Sequence, residues 1–151
     1  MDIIENQYLS VDGLLSYKTR STYSKLEKLI RHIADSLEYL NNKQNGNIIF
    51  SLRENPGAED DKVIDLEFLV PVEKAFESNE FYVFKPKLRI ENALKVRHVG
   101  AYSDLYRTKN AMQAYILENG FSPITDFYYS VICNDTVGMV DIYVGINGNI
   151  V

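Results

Sequence analysis

Leu15-Ser16-Tyr17-Lys18-Thr19-Arg20-Ser21-Thr22-Tyr23-Ser24-Lys25-Leu26 decides the reading of this chain, because the stretch returns 79 residues later as Leu94-Lys95-Val96-Arg97-His98-Val99-Gly100-Ala101-Tyr102-Ser103-Asp104-Leu105. Both copies end in Tyr-Ser-x-Leu. A second pair follows. Val63-Ile64-Asp65-Leu66-Glu67-Phe68-Leu69-Val70-Pro71-Val72 aligns with Val137-Gly138-Met139-Val140-Asp141-Ile142-Tyr143-Val144-Gly145-Ile146, so Glu67 and Asp141 hold the same place in two otherwise apolar stretches. A repeat of this length is too long for a solenoid turn, and its presence twice implies two half-domains around a pseudo-two-fold axis. The interface between such halves is a natural place for a ligand cleft.

Periodicity supplies the elements around these stretches. After a lead-in over residues 1–13, Val11 to Thr19 alternates about Leu15, Tyr17 and Thr19 and predicts a strand. Leu26, Leu29, Ile30, Ile33, Leu37 and Leu40 recur at three- and four-residue spacing, which predicts a helix from about Ser24 to Asn42. Ser24 and Glu27 have the spacing of a capping box. Asn47–Leu52 and Val63–Val72 are the next strands, separated by an acidic turn region holding Pro56-Gly57. Residues 73–92 connect the halves, with a short strand at Phe81–Phe84 that Pro86 limits to an edge or an end. The second half repeats the order. It has a strand over Ala93–Val99, a helix with Ser103 as N-cap and Gly120 as C-terminal cap, then strands Ile124–Cys133 and Val140–Ile146, with a turn at Asn134-Asp135-Thr136 between them. The expected fold is α+β: a duplicated strand–helix–strand–strand unit, forming a mostly antiparallel sheet with two main helices on one face and a pseudo-two-fold cleft. One domain is expected over 1–151, with a first half of about 11–72 and a second of about 93–146.

The composition narrows the function. A chain of 151 residues fits one domain and buries about 68–70% of its unfolded surface, enough for a core without staples. The net charge is −5, and Lys and Arg are scattered rather than striped, which argues against a nucleic-acid backbone as partner. Cys133 is the only cysteine, so no intrachain disulfide forms. No apolar run approaches the roughly 20 residues of a membrane span, and the first residues lack a signal-peptide pattern. A cytoplasmic protein is expected, with no membrane partner. There are 11 Tyr and 7 Phe but no Trp. Tyrosine joins an apolar ring to a polar tip, which suits pocket walls as well as strand surfaces.

Arg97-His98-Val99-Gly100-Ala101-Tyr102-Ser103-Asp104-Leu105 resembles the R-H-x-G-x-Y-x-x-L signature of the GyrI-like effector-binding superfamily. Tyr129-Ser130-Val131-Ile132-Cys133-Asn134-Asp135 is similar to its Y-x-V-x-x-N-D strand end. Val140–Ile146 and Asp65–Val72 resemble its closing strands. The resemblance covers about residues 11–146. It implies a cleft along the pseudo-dyad in which a buried carboxylate and several aromatics hold a small lipophilic cation. The family acid falls on Asp141, where glutamate is usual. Gly145 stands where proline is common, and Ile132 where tyrosine is common. Some relatives hydrolyse toxic small molecules with a glutamate and an aromatic wall. No helix-turn-helix module is attached, so the chain is not expected to act as a DNA-binding regulator itself.

Glu67 and Asp141 are the first candidates for ligand contact. Their neighbours at alternate positions are apolar, so the acids lie on the face away from the helices, with Tyr143 beside Asp141. Tyr17, Tyr129 and Tyr143 are the candidate walls. A half-buried carboxylate rewards a cation because an ion pair at 4 Å is worth about 4 kcal/mol at an effective dielectric of 20, against about 1 in water. Tyrosine faces add cation–π attraction. The plainer readings are a solvated strand face for the acids and cross-strand packing for the tyrosines. His98 reads as a satisfied structural histidine, and His32 as a surface residue. Two histidines without spaced partners give no metal signal, and no cofactor motif occurs. The expected function is non-catalytic binding of a small amphipathic or cationic molecule. A protein-interaction module on the same fold and a hydrolase of toxic small molecules are the alternatives.

Overall fold

Period-two alternation builds the strands. The computed structural model describes residues 2–54, 63–134 and 138–147. The expected loop around Pro56-Gly57, with Glu59-Asp60-Asp61, and the expected turn at Asp135-Thr136 lie outside the described residues. The fold is α+β, with six strands and two α-helices among the described residues. Two compact units divide the chain, one of Val11–Leu88 and one of Met1–Ser10 with Arg89–Val151.

In the first unit the order is β1 (Ile4–Thr22, entering from the other unit), α1 (Tyr23–Ile33), a 3-10 helix (Ala34–Leu40), β2 (Ile49–Glu54) and β3 (Val63–Pro71). β3 lies between β1 and β2, antiparallel to both. Its register sets Lys18 and Ser51 on either side of Glu67, and Tyr17 and Phe50 on either side of Phe68. Leu66, Phe68 and Val70 form the apolar face, and Leu26, Ile30 and Ile33 are the buried stripe of α1. Phe50 and Phe68 meet at 6.2 Å between ring centroids.

The second unit has the same plan. β4 (Val83–Val99, entering from the first unit) leads into a 3-10 turn (Tyr102–Asp104), α2 (Leu105–Glu118), β5 (Ser122–Asn134) and β6 (Gly138–Asn147). β6 lies between β4 and β5, again antiparallel to both. Its register sets Arg97 and Ser130 on either side of Asp141, and Lys95 and Tyr128 on either side of Tyr143. Leu105, Thr108, Met112 and Ile116 are the buried side of α2.

Several boundaries differ from the sequence expectation. Residues 1–13 are not a loose lead-in, because β1 already begins at Ile4. Asn6 and Gly13 sit inside the strand with φ of 58° and 73°. Gly13 adopts that left-handed backbone at no steric cost. The Tyr115 hydroxyl donates to the Glu5 carboxylate and ties the start of β1 to α2. The short strand expected at Phe81–Phe84 and the separate strand at Ala93–Val99 are one element, β4, which runs through Pro86.

The first helix starts one residue earlier than expected, without a capping box. Thr22 is the N-cap, its hydroxyl bonds that of Ser24, and Glu27 pairs with Arg31 instead. After Ile33 it tightens into the 3-10 helix, where the Ser36 hydroxyl donates to the Ile33 carbonyl at 2.7 Å. Such back-bonding competes with the helical ladder. Ser103 is likewise not the N-cap of α2; it lies inside the 3-10 turn that precedes Leu105.

Both helical segments end in the same motif. The Phe121 N–H bonds the Ile116 carbonyl and the Gly120 N–H bonds that of Leu117, around Gly120 at φ 69°. The Asn42 N–H bonds the Leu37 carbonyl and the Asn41 N–H bonds that of Glu38, around Asn41 at φ 49°. These paired 6→1 and 5→2 bonds form the Schellman closure, satisfying carbonyls the helix leaves open.

Candidate ligand-binding residues

The acid face of the first unit is polar by register. Ser16, Lys18 and Arg20 alternate on β1 and face Asp65 and Glu67 on β3. Glu67 keeps only 18% of its side chain exposed. Its Oε2 accepts from the Ser16 hydroxyl at 2.5 Å and from the Lys85 ammonium at 2.7 Å. Burial pushes this carboxyl up. The hydrogen bonds from Lys85 and Ser16, with the charges of Lys85 and Lys18, outweigh burial and hold it below its ordinary value. Glu67 is therefore a charged, half-buried group with a cation of the chain already against it.

Asp141 is the deeper acid, with a side chain 3% exposed. Arg97, its direct cross-strand partner, holds it from both nitrogens of one fork: Nε to Oδ1 at 2.8 Å and Nη2 to Oδ2 at 3.0 Å. Such bidentate, charge-assisted pairs are roughly twice as strong as neutral hydrogen bonds. The Lys95 ammonium lies 3.5 Å from Oδ2 and 5.7 Å from the centre of the Tyr143 ring. Two basic groups thus share one carboxylate, and one of them also rests on an aromatic face.

The tyrosines divide by register. Tyr143 shares the face of Asp141. Tyr129 is paired with Ile142, so alternation turns it to the opposite, apolar face, where it is buried. The aromatic residue on the Asp141 face of β5 is its neighbour, Tyr128, opposite Tyr143. Sequence reasoning missed Tyr128, because only the pairing register distinguishes adjacent strand residues. Tyr17 pairs with Phe68, not with Glu67, and its ring meets Tyr82 at 5.6 Å.

The most specific sequence motif does structural work. The His98 Nε2 bonds the Ala101 carbonyl at 3.0 Å, and Nδ1 lies 2.7 Å from the Thr108 hydroxyl. A carbonyl only accepts, so Nε2 is the donor of that bond, and the Thr108 hydroxyl can serve as the partner of Nδ1. Gly100, at φ 140°, donates to the Gly138 carbonyl at 2.9 Å. The Tyr102 hydroxyl donates to Asn134 at the end of β5 at 2.7 Å. Tyr23, the matching tyrosine of the first repeat, donates to Glu54 at the end of β2 at 3.1 Å. Burial first, then the Glu54 charge, raises the pKa of Tyr23. His32 is exposed beside Asp35. Among the described residues no group of three or more His, Cys, Asp and Glu is placed to hold a metal ion.

A recess of about 250 Å3 opens on the first unit, lined by Ser16, Tyr17, Lys18, Glu80, Phe81, Val83 and Lys85. Lys85 links it to Glu67.

The fold is shared with solved structures. The chain is similar to the EcmrR C-terminal domain, with a TM-score of 0.70 and 19% identity over 99% of this chain and 100% of that one. It is also similar to EcmrR in a cryo-EM structure of its DNA complex, with a TM-score of 0.73 and 17% identity over 97% of this chain. There it spans 58% of the EcmrR chain. A protein described as a hydrolase from Listeria innocua matches at a TM-score of 0.51 and 11% identity, covering 93% of this chain and 90% of that one. At these identities the likeness is one of fold. No family model matches the chain, and no curated protein matches it. Among the described residues no helix is long and apolar enough to cross a membrane.

Proposed function

We propose that this chain is a non-catalytic binding domain of the GyrI-like effector-binding type, which takes a small amphipathic or cationic molecule. The observation that carries this reading is the state of Glu67: charged, 18% exposed, and beside a recess that presents Phe81 and Val83. Such a group is costly to keep in a half-buried place unless its charge is matched. Its present partner, Lys85, keeps 41% of its side chain exposed, so a ligand cation can compete with it for the carboxylate. Asp141, with Tyr143 and Tyr128 on its face, is the corresponding group of the second unit. The likeness to the EcmrR C-terminal domain along its whole length supports a self-contained domain. The DNA in the longer EcmrR complex is a property of that protein.

A hydrolase reading needs a carboxylate poised to activate water. Asp141 is held by two basic side chains and Glu67 by Lys85 and Ser16, an arrangement suited to charge pairing rather than proton abstraction. The test is calorimetric titration of lipophilic cations and neutral isosteres into the wild-type protein, Glu67→Gln and Asp141→Asn. Binding weakened in either variant for cations alone supports the assignment. Unchanged affinity in both variants refutes it.

A further inference from the structure

The recess of the first unit carries charged side chains that have no hydrogen bond or ion pair of their own among the described residues. Seven residues line it, three of them charged: Lys18, Lys85 and Glu80. Lys85 is spent on Glu67, as is the Ser16 hydroxyl. Lys18 and Glu80 are exposed, and neither makes a hydrogen bond or ion pair with the described residues. One positive and one negative group therefore border the same small space without a direct partner there, although the Lys18 charge also acts on Glu67 across the strand pair.

The apolar part is equally open. Phe81 is 63% exposed, and Val83 beside it is exposed as well. A phenyl ring left this far in water gains from any flat partner that covers it. The segment bearing Glu80 and Phe81 is nevertheless pinned. The Asn79 Oδ1 accepts from the N–H groups of Phe81 and Tyr82 at 2.8 and 2.9 Å, and the Asn79 N–H bonds the Tyr82 carbonyl at 2.9 Å. The Ser78 hydroxyl accepts from the Phe84 N–H at 2.9 Å, and the Phe76 and Phe84 rings meet edge to face at 5.5 Å. Asparagine closures of this kind fix a turn locally. The loop thus presents its acid and its ring from a set position, which lowers the ordering cost of binding.

Size limits the occupant. Pockets for drug-sized ligands run to about 300–1,000 Å3, and this one is about 250 Å3. It accepts one ring with a short polar arm.

We propose that this recess binds a single-ring aromatic zwitterion, with the ring on Phe81 and Val83, the carboxylate on Lys18 and the ammonium on Glu80. The proposal rests on the reading of the chain as a ligand-binding domain and names a ligand class for it. A purely cationic ligand leaves Lys18 repelled, and a purely anionic one leaves Glu80 repelled; the zwitterion satisfies both.

Three probes with the same ring and comparable arms separate these cases: phenylalanine, 2-phenylethylamine and 3-phenylpropionate. Each is titrated by NMR into the wild-type protein and into Lys18→Met, Glu80→Gln and Phe81→Ala, all at exposed positions. Phenylalanine should bind about two- to fivefold tighter than either analogue, the range of exposed charge pairs. Lys18→Met should remove its advantage over the amine, and Glu80→Gln its advantage over the acid. Phe81→Ala should weaken all three. Equal binding of the three probes, or no saturable shifts around the recess, overturns the proposal. Equal binding of the three probes, together with a lipophilic cation that stabilises the wild type and all three variants alike, overturns it while leaving the general binding reading in place.

Discussion

Arg97 and Asp141 stand directly opposite each other on β4 and β6, and the guanidinium grips both carboxylate oxygens at 2.8 and 3.0 Å. On the other side of Asp141, across β5, stands Ser130. The first unit repeats the arrangement in the same register, with Lys18, Glu67 and Ser51 on three adjacent strands. Each unit thus centres a basic–acidic–hydroxyl row on the acid of its middle strand. The difference lies in who neutralises the acid. In the second unit it is the strand neighbour, Arg97. In the first it is Lys85, from β4, which makes the direct pair, while the strand neighbour Lys18 acts on Glu67 through its charge alone.

The Arg97 fork makes Asp141 a stability determinant. Asp141→Ala is expected to cost about 1–3 kcal/mol, the cost of breaking a buried charge-assisted pair. Arg97→Lys should not restore the wild-type value, since an ammonium cannot reproduce the planar fork. Urea unfolding of the variants checks both; a change below a few tenths of a kcal/mol contradicts them.

Glu67 gives a pH signature. Its pKa lies below the ordinary 4.5, so as pH falls the unfolded chain takes up the proton first. The pairing then contributes in full above that ordinary value and is lost as pH drops through the folded one. The stability gap between wild type and Glu67→Gln, measured by urea melts, should be steady near neutral pH and narrow below about pH 4.5. A gap that stays constant through the acid range contradicts the pairing.

Gly145 departs from the proline that the resembled family commonly has, and the structure supplies a reason. Its N–H donates to the Thr125 hydroxyl at 2.8 Å, and a Cβ there would lie 2.7 Å from Thr125 Cγ2 and 3.0 Å from Ile90 Cγ2. Gly145→Ala should destabilise by about 1–3 kcal/mol through overpacking. Gly145→Pro should cost more, because it also removes the donor. Thermal unfolding of the two variants gives the order.

Gly120 separates backbone strain from crowding. It has φ 69°, and no atom lies within 4 Å of an added Cβ. Gly120→Ala should therefore cost about 1–2 kcal/mol from the left-handed backbone alone, and Gly120→Asn less, as Asn41 shows in the matching closure. Equal losses for alanine and asparagine contradict this account.

The strands and helices of both units were legible because each carries its own period. The stripe of α1 and the alternation of β3 are visible in the sequence alone. What escaped it was either a one-residue question or a distant one. Pro86 read as a strand end, yet it lies within a long strand, since a single special residue does not end an otherwise extended segment. Tyr129 and Tyr128 differ by one position, and the pairing with β6 turns Tyr128, not Tyr129, toward the face of Asp141. Lys85 as the partner of Glu67 lies 18 residues away, on the next strand after a turn-rich segment, and no local pattern announces it. The R-H-x-G-x-Y signature was legible as a motif, but its residues lock the start of α2 to the ends of β5 and β6, with Tyr102 on Asn134 and Gly100 on Gly138.

The binding account is tested most directly by thermal unfolding of the wild-type protein with lipophilic cations, aromatic zwitterions and neutral compounds of matching shape. A ligand at 100 times its dissociation constant stabilises by about 2.7 kcal/mol. The account predicts saturable shifts from the charged amphipathic compounds, smaller ones from their neutral counterparts, and a reduced response in Glu67→Gln. A flat response to every class, or equal shifts that Glu67→Gln leaves unchanged, contradicts it.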